Sequence, residues 1–398
     1  IRQLALKTGP GNSIFNQLTQ LPYLRASREM KTKPTQQSVG KLREIGIQPD
    51  ILVCRCERPM TAGMRDKISL FCNVVREDVI EEMDVETTIY EVPLNLQRDG
   101  LDACIARRLG LSTERTGDWS DWEDYVERVR RPERKVEVAV VGKYVALHDA
   151  YKSIYEALHH GGASNRCQVE VRRVSAEDVA GRGAEALLSG VDSVLVPGGF
   201  GERGLEGKIA AVHWAREKGI PFLGICFGMQ ALVIEYAREV AGLEGANSTE
   251  VAPENPHPVI DLMREQIRLS DQKGGTMRLG AFPCRILDGT RAAGIYGRDI
   301  VLERHRHRWE FNNGYRRTLE KAGLRCSGIY EARDLVEIVE VKDHPFCIGV
   351  QYHPEFKSKP LKPHPLFHAF VQAAARYAEE GPGKPGGLPS PPAEKLKA

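Results

Sequence analysis

The sequence predicts an α/β protein whose larger, C-terminal part is a doubly wound α/β domain. Short apolar runs alternate with amphipathic stretches from about Lys135 onward, and glycine-rich turns follow several of those runs. A chain of 398 residues, 41% hydrophobic and 28% charged, is also long enough to bury more than one core.

In chain order, "VEVAVVG" (136–142), "CQVEVRRV" (167–174), "VDSVLVPGG" (191–199) and "IPFLGIC" (220–226) read as buried strands with helices between them. A second set includes "LVEIVEV" (335–341) and "FCIGVQY" (346–352), and a last helix covers about 366–377. The tail 381–398, rich in proline and glycine, is expected to be disordered. Upstream, the charged, proline-containing "DWSDWEDYVERVRRPERK" reads as an interdomain linker, which gives boundaries of 1–112, 113–134, 135–380 and 381–398. Residues 1–112 hold the strand "DILVC" (50–54) and helical pieces, too few strands for a complete α/β domain, so they are expected to be the remainder of one.

Composition limits the function classes. Lys+Arg 56 against Asp+Glu 54 leaves a formal net charge of +2, so no global field marks a nucleic-acid or membrane binder. Nine scattered cysteines without framework spacing suit a reducing, cytoplasmic setting, and Cys54 and Cys56 lack the second half of a zinc site. The apolar run 219–237 is broken by Gln230, Glu235 and two glycines, so it reads as strand plus helix, not as a membrane span. The opening "IRQLALKTGPGN" lacks the pattern of a secretory signal.

Chemistry enters at "GICFG". In open parallel sheets ligands bind where a strand hands over to a helix, and Gly224, Cys226 and Gly228 make a G-x-C-x-G elbow at such a handover. A thiol at a helix amino end is favoured as thiolate; the alternative is an inert core cysteine. "GVQYHPEF" (349–356) supplies His353 and Glu355 just past another apolar strand, with side chains expected on one face of an extended segment. A nucleophilic cysteine needs a histidine to manage its proton and a carboxylate to orient the ring. By itself this pair reads as a loop histidine beside a surface acid. "VPGGFGERG" (196–204) is a third strand-end turn, whose amides could form an oxyanion hole or a phosphate cradle. In the first part of the chain, Lys31 and Lys33 flank Thr32 ahead of Pro34, an arrangement that suits an anionic, phosphorylated ligand or else a solvated lysine pair.

"PGGFG", "GICFGMQ" and "YHPEF", in this order and spacing, resemble a class I glutamine amidotransferase domain. That resemblance implies glutamine hydrolysis through a cysteine thioester, with Cys226 as nucleophile, His353 as general base and acid, and Glu355 as orienting carboxylate. It implies oxyanion stabilisation by Gly199 and the backbone after Cys226, and glutamine contacts from Gly199, Phe227, Gly228, Met229, Gln230, Glu250 and Arg308. Glu250 can pair with the ammonium of an amino acid and Arg308 with its carboxylate. "RHRHR" (304–308) is a weak nucleic-acid signal, since Glu303 and Glu310 adjoin it.

"KTKPTQ" (31–36), "GIQPDILVCR" (46–55), "KISLFCN" (67–73), "NSTE" (247–250) and "RHRHRWEFN" (304–312) resemble the CTP synthase family over residues 1 to about 377. The implied reaction is ATP-dependent phosphorylation of the UTP 4-oxygen, followed by displacement of that phosphate by ammonia. The resemblance implies UTP or CTP contacts from Lys31, Thr32, Lys33, Pro34, Thr35, Gln36 and Lys67, and ATP contacts from Met83, Asp84 and Val85. It further implies Mg2+ with ATP, GTP as activator, CTP as inhibitor and a homotetramer. The family's phosphate loop and magnesium carboxylates have no counterpart here, so the chain is expected to begin midway through a P-loop-type synthetase domain and to hold no metal ligands of its own. Gln37, Cys56 and Trp309 depart from the family's usual residues. Two other readings stay open: a noncatalytic nucleotide-binding or filament scaffold, and a stand-alone hydrolase of γ-glutamyl bonds.

Overall fold

The computed structural model describes residues 1–112, 117–262 and 277–381. The chain divides into two compact units, Ile1–Arg130 and the residues from Arg131 onward.

The first unit is built on a three-stranded parallel sheet of β1 (Asn16–Leu21), β2 (Ile51–Cys56) and β3 (Val79–Met83), with β2 in the middle. The central strand is apolar on both faces because both are covered. Leu52, Cys54 and Cys56 pack with Val39, Ile68 and Val79, while Ile51 and Val53 pack with Ile80 and Cys104. The covering helices include Lys33–Glu44, Ala62–Cys72 and Leu101–Arg108. The second starts where the Thr61 hydroxyl accepts the Met64 N–H and stops at Asn73, whose φ of 54° ends the helical run. Within the span read as a linker, residues 113–116 lie outside the described residues, but Ser120–Arg130 is a helix belonging to this unit. Tyr125 and Val126 are buried, and Trp122 Nε1 donates to the Tyr90 carbonyl at 2.8 Å. The spacing 122, 125, 126 is one helical stripe, so composition alone hid an amphipathic element.

Beside a small sheet of Asn247–Ser248, Pro258–Leu262 and Trp309–Phe311, the second unit is built on a nine-stranded mixed sheet. Its strands are β4 (Arg134–Gly142), β5 (Cys167–Ser175), β6 (Ser193–Val196), β7 (Phe222–Ile225), β8 (Arg278–Ile286), β9 (Ile300–His307), β10 (Leu324–Tyr330), β11 (Leu335–Val341) and β12 (Cys347–Val350), in the order β9-β8-β10-β11-β12-β7-β6-β4-β5. From β12 to β5 all pairings are parallel; from β11 outward they are antiparallel. Successive residues of the parallel strands enter opposite cores. Ala139, Val141, Val194, Val196 and Phe222 meet the helices Leu205–Glu217 and Phe227–Glu239 on one face. Val138, Val140, Leu195, Leu223 and Ile225 meet the helices Lys152–Ser164 and Pro365–Glu380 on the other. Helices on both faces make the expected doubly wound layout. The strand read as 191–199 is shorter than expected, because Pro197 has no N–H to continue the ladder. The tail beyond Gly381 lies outside the described residues.

Candidate active site

Adjacent strand ends build the site. β7 and β12 pair in parallel, and the chain leaves each of them into a functional turn. Immediately after β7, Cys226 stands as N-cap of the helix Phe227–Glu239, with its N–H bonded to the Val350 carbonyl of β12 at 2.7 Å. Its φ of 53° and ψ of −105° lie outside the regions that L residues favour, a strain on the order of 1–3 kcal/mol. The flanking glycines serve close approach. A methyl group at Gly228 would lie 2.0 Å from the Val196 carbonyl oxygen, and one at Gly224 would lie 2.6 Å from the Gly228 oxygen. Cys226 itself bears the unusual torsion.

His353 follows β12, and its N–H donates to the Arg304 carbonyl of β9 at 2.7 Å. The segment is not extended as expected: Pro354–Lys357 is a 3-10 turn that opens on His353. The turn brings Glu355 Oε1 to 2.7 Å from His353 Nδ1, and Phe356 stacks on the imidazole at 5.4 Å between ring centres. Glu355 is buried and Cys226 is only 3% exposed. Burial alone would lower the His353 pKa; hydrogen bonding and charge attraction from Cys226, then from Glu355, outweigh it and raise the pKa to about 10. Beside a Cys226 thiolate the imidazolium is therefore the favoured form.

Gly198 marks the convergence of all three segments. A methyl group there would lie 3.0 Å from His353 Cε1 and 3.5 Å from Cys226 Cβ, whereas one at Gly199 would meet the ammonium of Lys208 at 3.1 Å. The glycine that faces the thiol and imidazole is thus Gly198, a residue the sequence reading passed over in favour of Gly199. Gln351 was missed as well: fully buried, it donates from Nε2 to Cys226 Sγ at 3.7 Å and accepts from Gln230 at 3.3 Å. Only its place one residue before Tyr352 in "GVQYHPEF" could have signalled it.

The other predicted glutamine contacts surround this centre. Glu250 accepts the Gly201 N–H at 2.9 Å; burial raises its pKa, against the pull of that amide, Lys143 and Arg308. Gln230 Nε2 also donates to the Trp309 carbonyl at 3.1 Å. Met229 is fully buried and would abut a side chain at Gly349, so its backbone is what it can offer a ligand. Phe227 is buried beneath the Lys208 ammonium at 4.8 Å from the ring centre.

In the first unit, Thr32 precedes the helix Lys33–Glu44, so the predicted nucleotide contacts gather at its amino end. Thr35 is buried and its hydroxyl donates to the Gln20 carbonyl at 3.1 Å, while Gln36 Nε2 donates to Thr32 Oγ1 at 3.2 Å. Lys31 pairs with Glu29, and hydrogen bonding and then charge attraction from Lys31, with a smaller pull from Lys67, hold the Glu29 carboxyl below its usual value. Lys33 and Lys67 are exposed. Met83 ends β3, Asp84 pairs with Arg55 at 2.6 Å and Val85 follows, all at the carboxyl edge of the parallel sheet. Among the described residues no group of three or more His, Cys, Asp and Glu side chains is placed to hold a metal ion.

Comparison with known proteins gives one family for both units. The model of glutamine amidotransferase class-I matches residues 146–373, and that of the CTP synthase N-terminus matches residues 1–111. The CTP synthase of Caldanaerobacter subterraneus is 55% identical over 94% of this chain and 69% of its own length. That of Clostridium perfringens is 54% identical over 94% and 69%. Among solved structures, the glutaminase domain of Trypanosoma brucei CTPS with bound acivicin superposes with a TM-score of 0.57 at 38% identity, covering 65% of this chain and 98% of that one.

Proposed function

The chain belongs to the CTP synthase family, and from that premise we propose that Cys226, His353 and Glu355 hydrolyse glutamine to supply the nitrogen. CTP synthase is a glutamine-hydrolysing ligase that aminates UTP at the expense of ATP. The observation that carries the triad is the meeting of a strained, helix-capping thiol with an imidazole whose far nitrogen is held by a buried carboxylate.

The chemistry follows from the geometry. The thiolate attacks the carboxamide carbon, forming a C–S bond while the carbonyl electrons move to oxygen. The Gly198 and Gly199 amides and the backbone after Cys226 hold that oxyanion, each donor being worth about 3 kcal/mol of barrier. The imidazolium passes its proton to the departing nitrogen, the C–N bond breaks and ammonia leaves a thioester. Neutral His353 then takes a proton from water, whose oxygen attacks the thioester; thiolate departs and glutamate is released. Glu355 keeps the ring oriented and stabilises its charge. Glu250 binds the substrate ammonium and Arg308 its carboxylate, with Phe227, Gly228, Met229 and Gln230 shaping the walls.

UTP, or CTP as inhibitor, is held at the helix amino end by Lys31 to Gln36 and by Lys67, where N–H groups and lysines suit a triphosphate. ATP lies against Met83, Asp84 and Val85, with Mg2+ accompanying its phosphates. GTP activation, tetramer assembly and a cytoplasmic location complete the reading; among the described residues no helix is long and apolar enough to cross a membrane. The triad is tested by alkylation. Iodoacetamide is expected to modify Cys226, and glutamine or acivicin to protect it. A Cys226 that alkylates at the rate of a free thiol and is protected by neither would remove the assignment.

A further inference from the structure

Lys208 is a charged group that the mechanism above does not use. It lies in the helix Leu205–Glu217 and is only 1% exposed. The preceding Gly207 explains why it points inward. A methyl group there would lie 1.7 Å from the Ala176 carbonyl oxygen, so this turn of the helix is pressed against its neighbour. Lys208 Nζ donates to the Pro197 carbonyl at 3.2 Å, sits 4.8 Å from the centre of the Phe227 ring and lies beneath Gly199. In a trans peptide the C=O and N–H point in opposite directions. Anchoring the Pro197 oxygen on Lys208 therefore aims the Gly198 N–H the other way, from the residue that abuts Cys226 and His353. At the other end of the turn Lys143 Nζ donates to the Phe200 carbonyl at 3.0 Å, and the Gly201 N–H is taken by Glu250. Two lysines thus hold carbonyl oxygens of this turn; the amide beyond Phe200 is taken by Glu250, which leaves the Gly198 amide for the site.

A buried ammonium is costly. The titratable groups that bear on it are Cys226, which favours the charged form, and Lys143, which opposes it. Burial pushes its pKa down to about 8, so it remains cationic at pH 7.

We propose that Lys208 is a positioning residue for glutamine hydrolysis: its ammonium fixes the Pro197–Gly198 peptide with the N–H toward Cys226 and places positive charge beside the anions formed there. This rests on Cys226 being the nucleophile.

The test uses the full chain as wild type, Lys208→Met, Lys208→Gln and Cys226→Ala. Glutamine turnover is expected to fall about 10- to 100-fold in both Lys208 variants, with KM within about threefold, since the effect belongs to the transition state. The pH midpoint of Cys226 alkylation is expected to rise by about one unit in both, whereas loosened packing would admit water and lower it. Lys208→Gln keeps a donor for Pro197, so it guards against misfolding of the Met variant and isolates the charge. Wild-type turnover in either variant, or an unmoved alkylation midpoint, overturns the proposal. Turnover surviving in Cys226→Ala would instead remove the nucleophile reading.

Discussion

The two candidate sites of this chain are built in opposite ways. In the second unit Cys226, Glu355, Gln351 and Lys208 are all buried, and each is tied to backbone or to one another before any substrate arrives. In the first unit Lys33 and Lys67 stand in solvent and Lys31 is occupied by Glu29. The chemical site is preorganised, as a transition state with fixed charge positions requires. The proposed nucleotide loop instead leaves Lys33 and Lys67 in solvent, where an anion can reach them.

The largest test of that contrast is Cys226→Ala. In the intact enzyme glutamine hydrolysis is expected to fall by at least about 10³-fold, while CTP formation from added ammonium persists, because removing the nucleophile leaves the synthetase part untouched. A parallel loss of ammonium-supported synthesis would mean that the sites are not separable in this way.

Next in size is the cost of the buried ammonium. Lys208 has a folded-state pKa of about 8 against about 10.5 unfolded. The unfolded chain therefore binds more protons between those values, and stability rises with pH across that window. The difference is worth about 3 kcal/mol. Denaturant melts of wild type and Lys208→Met at pH 7 and pH 10 should show the wild type gaining on the variant at alkaline pH.

Gly228→Ala follows. A methyl group 2.0 Å from the Val196 oxygen must push helix from strand, at about 1–3 kcal/mol of stability, with glutamine turnover falling together with the melting temperature. The smallest effect belongs to the open site. Lys33→Ala is expected to raise the UTP KM about tenfold, less at high salt, without altering glutamine hydrolysis. An effect of Lys33→Ala as large as that of Cys226→Ala would erase the distinction drawn above.

What the sequence made legible follows the same physics. The elbow is readable because β7 is short and apolar and Cys226 after it lies between Gly224 and Gly228, and the doubly wound layout because buried parallel strands leave continuous Val, Ile and Leu runs. Lys208 was not, since a lysine in "LEGKIAAVHWAREKG" sits in an ordinary amphipathic pattern; only the approach to Ala176 turns it inward. Gly198 and Gly199 are indistinguishable as letters, and the peptide orientation that separates their roles depends on a side chain from another helix. The helix Ser120–Arg130 was obscured by charge, although Trp122, Tyr125 and Val126 carried its period.

The register of β7 on β12 has a lasting consequence. Val350 pairs with Ile225, and the Cys226 N–H is bonded to the Val350 oxygen, so the gap between sulfur and imidazole is measured on a ruler of interstrand spacing, about 4.8 Å per step. Loops on the rim can lengthen or change character without resetting that ruler. A single residue inserted between Val350 and His353 would put the whole instrument out of tune.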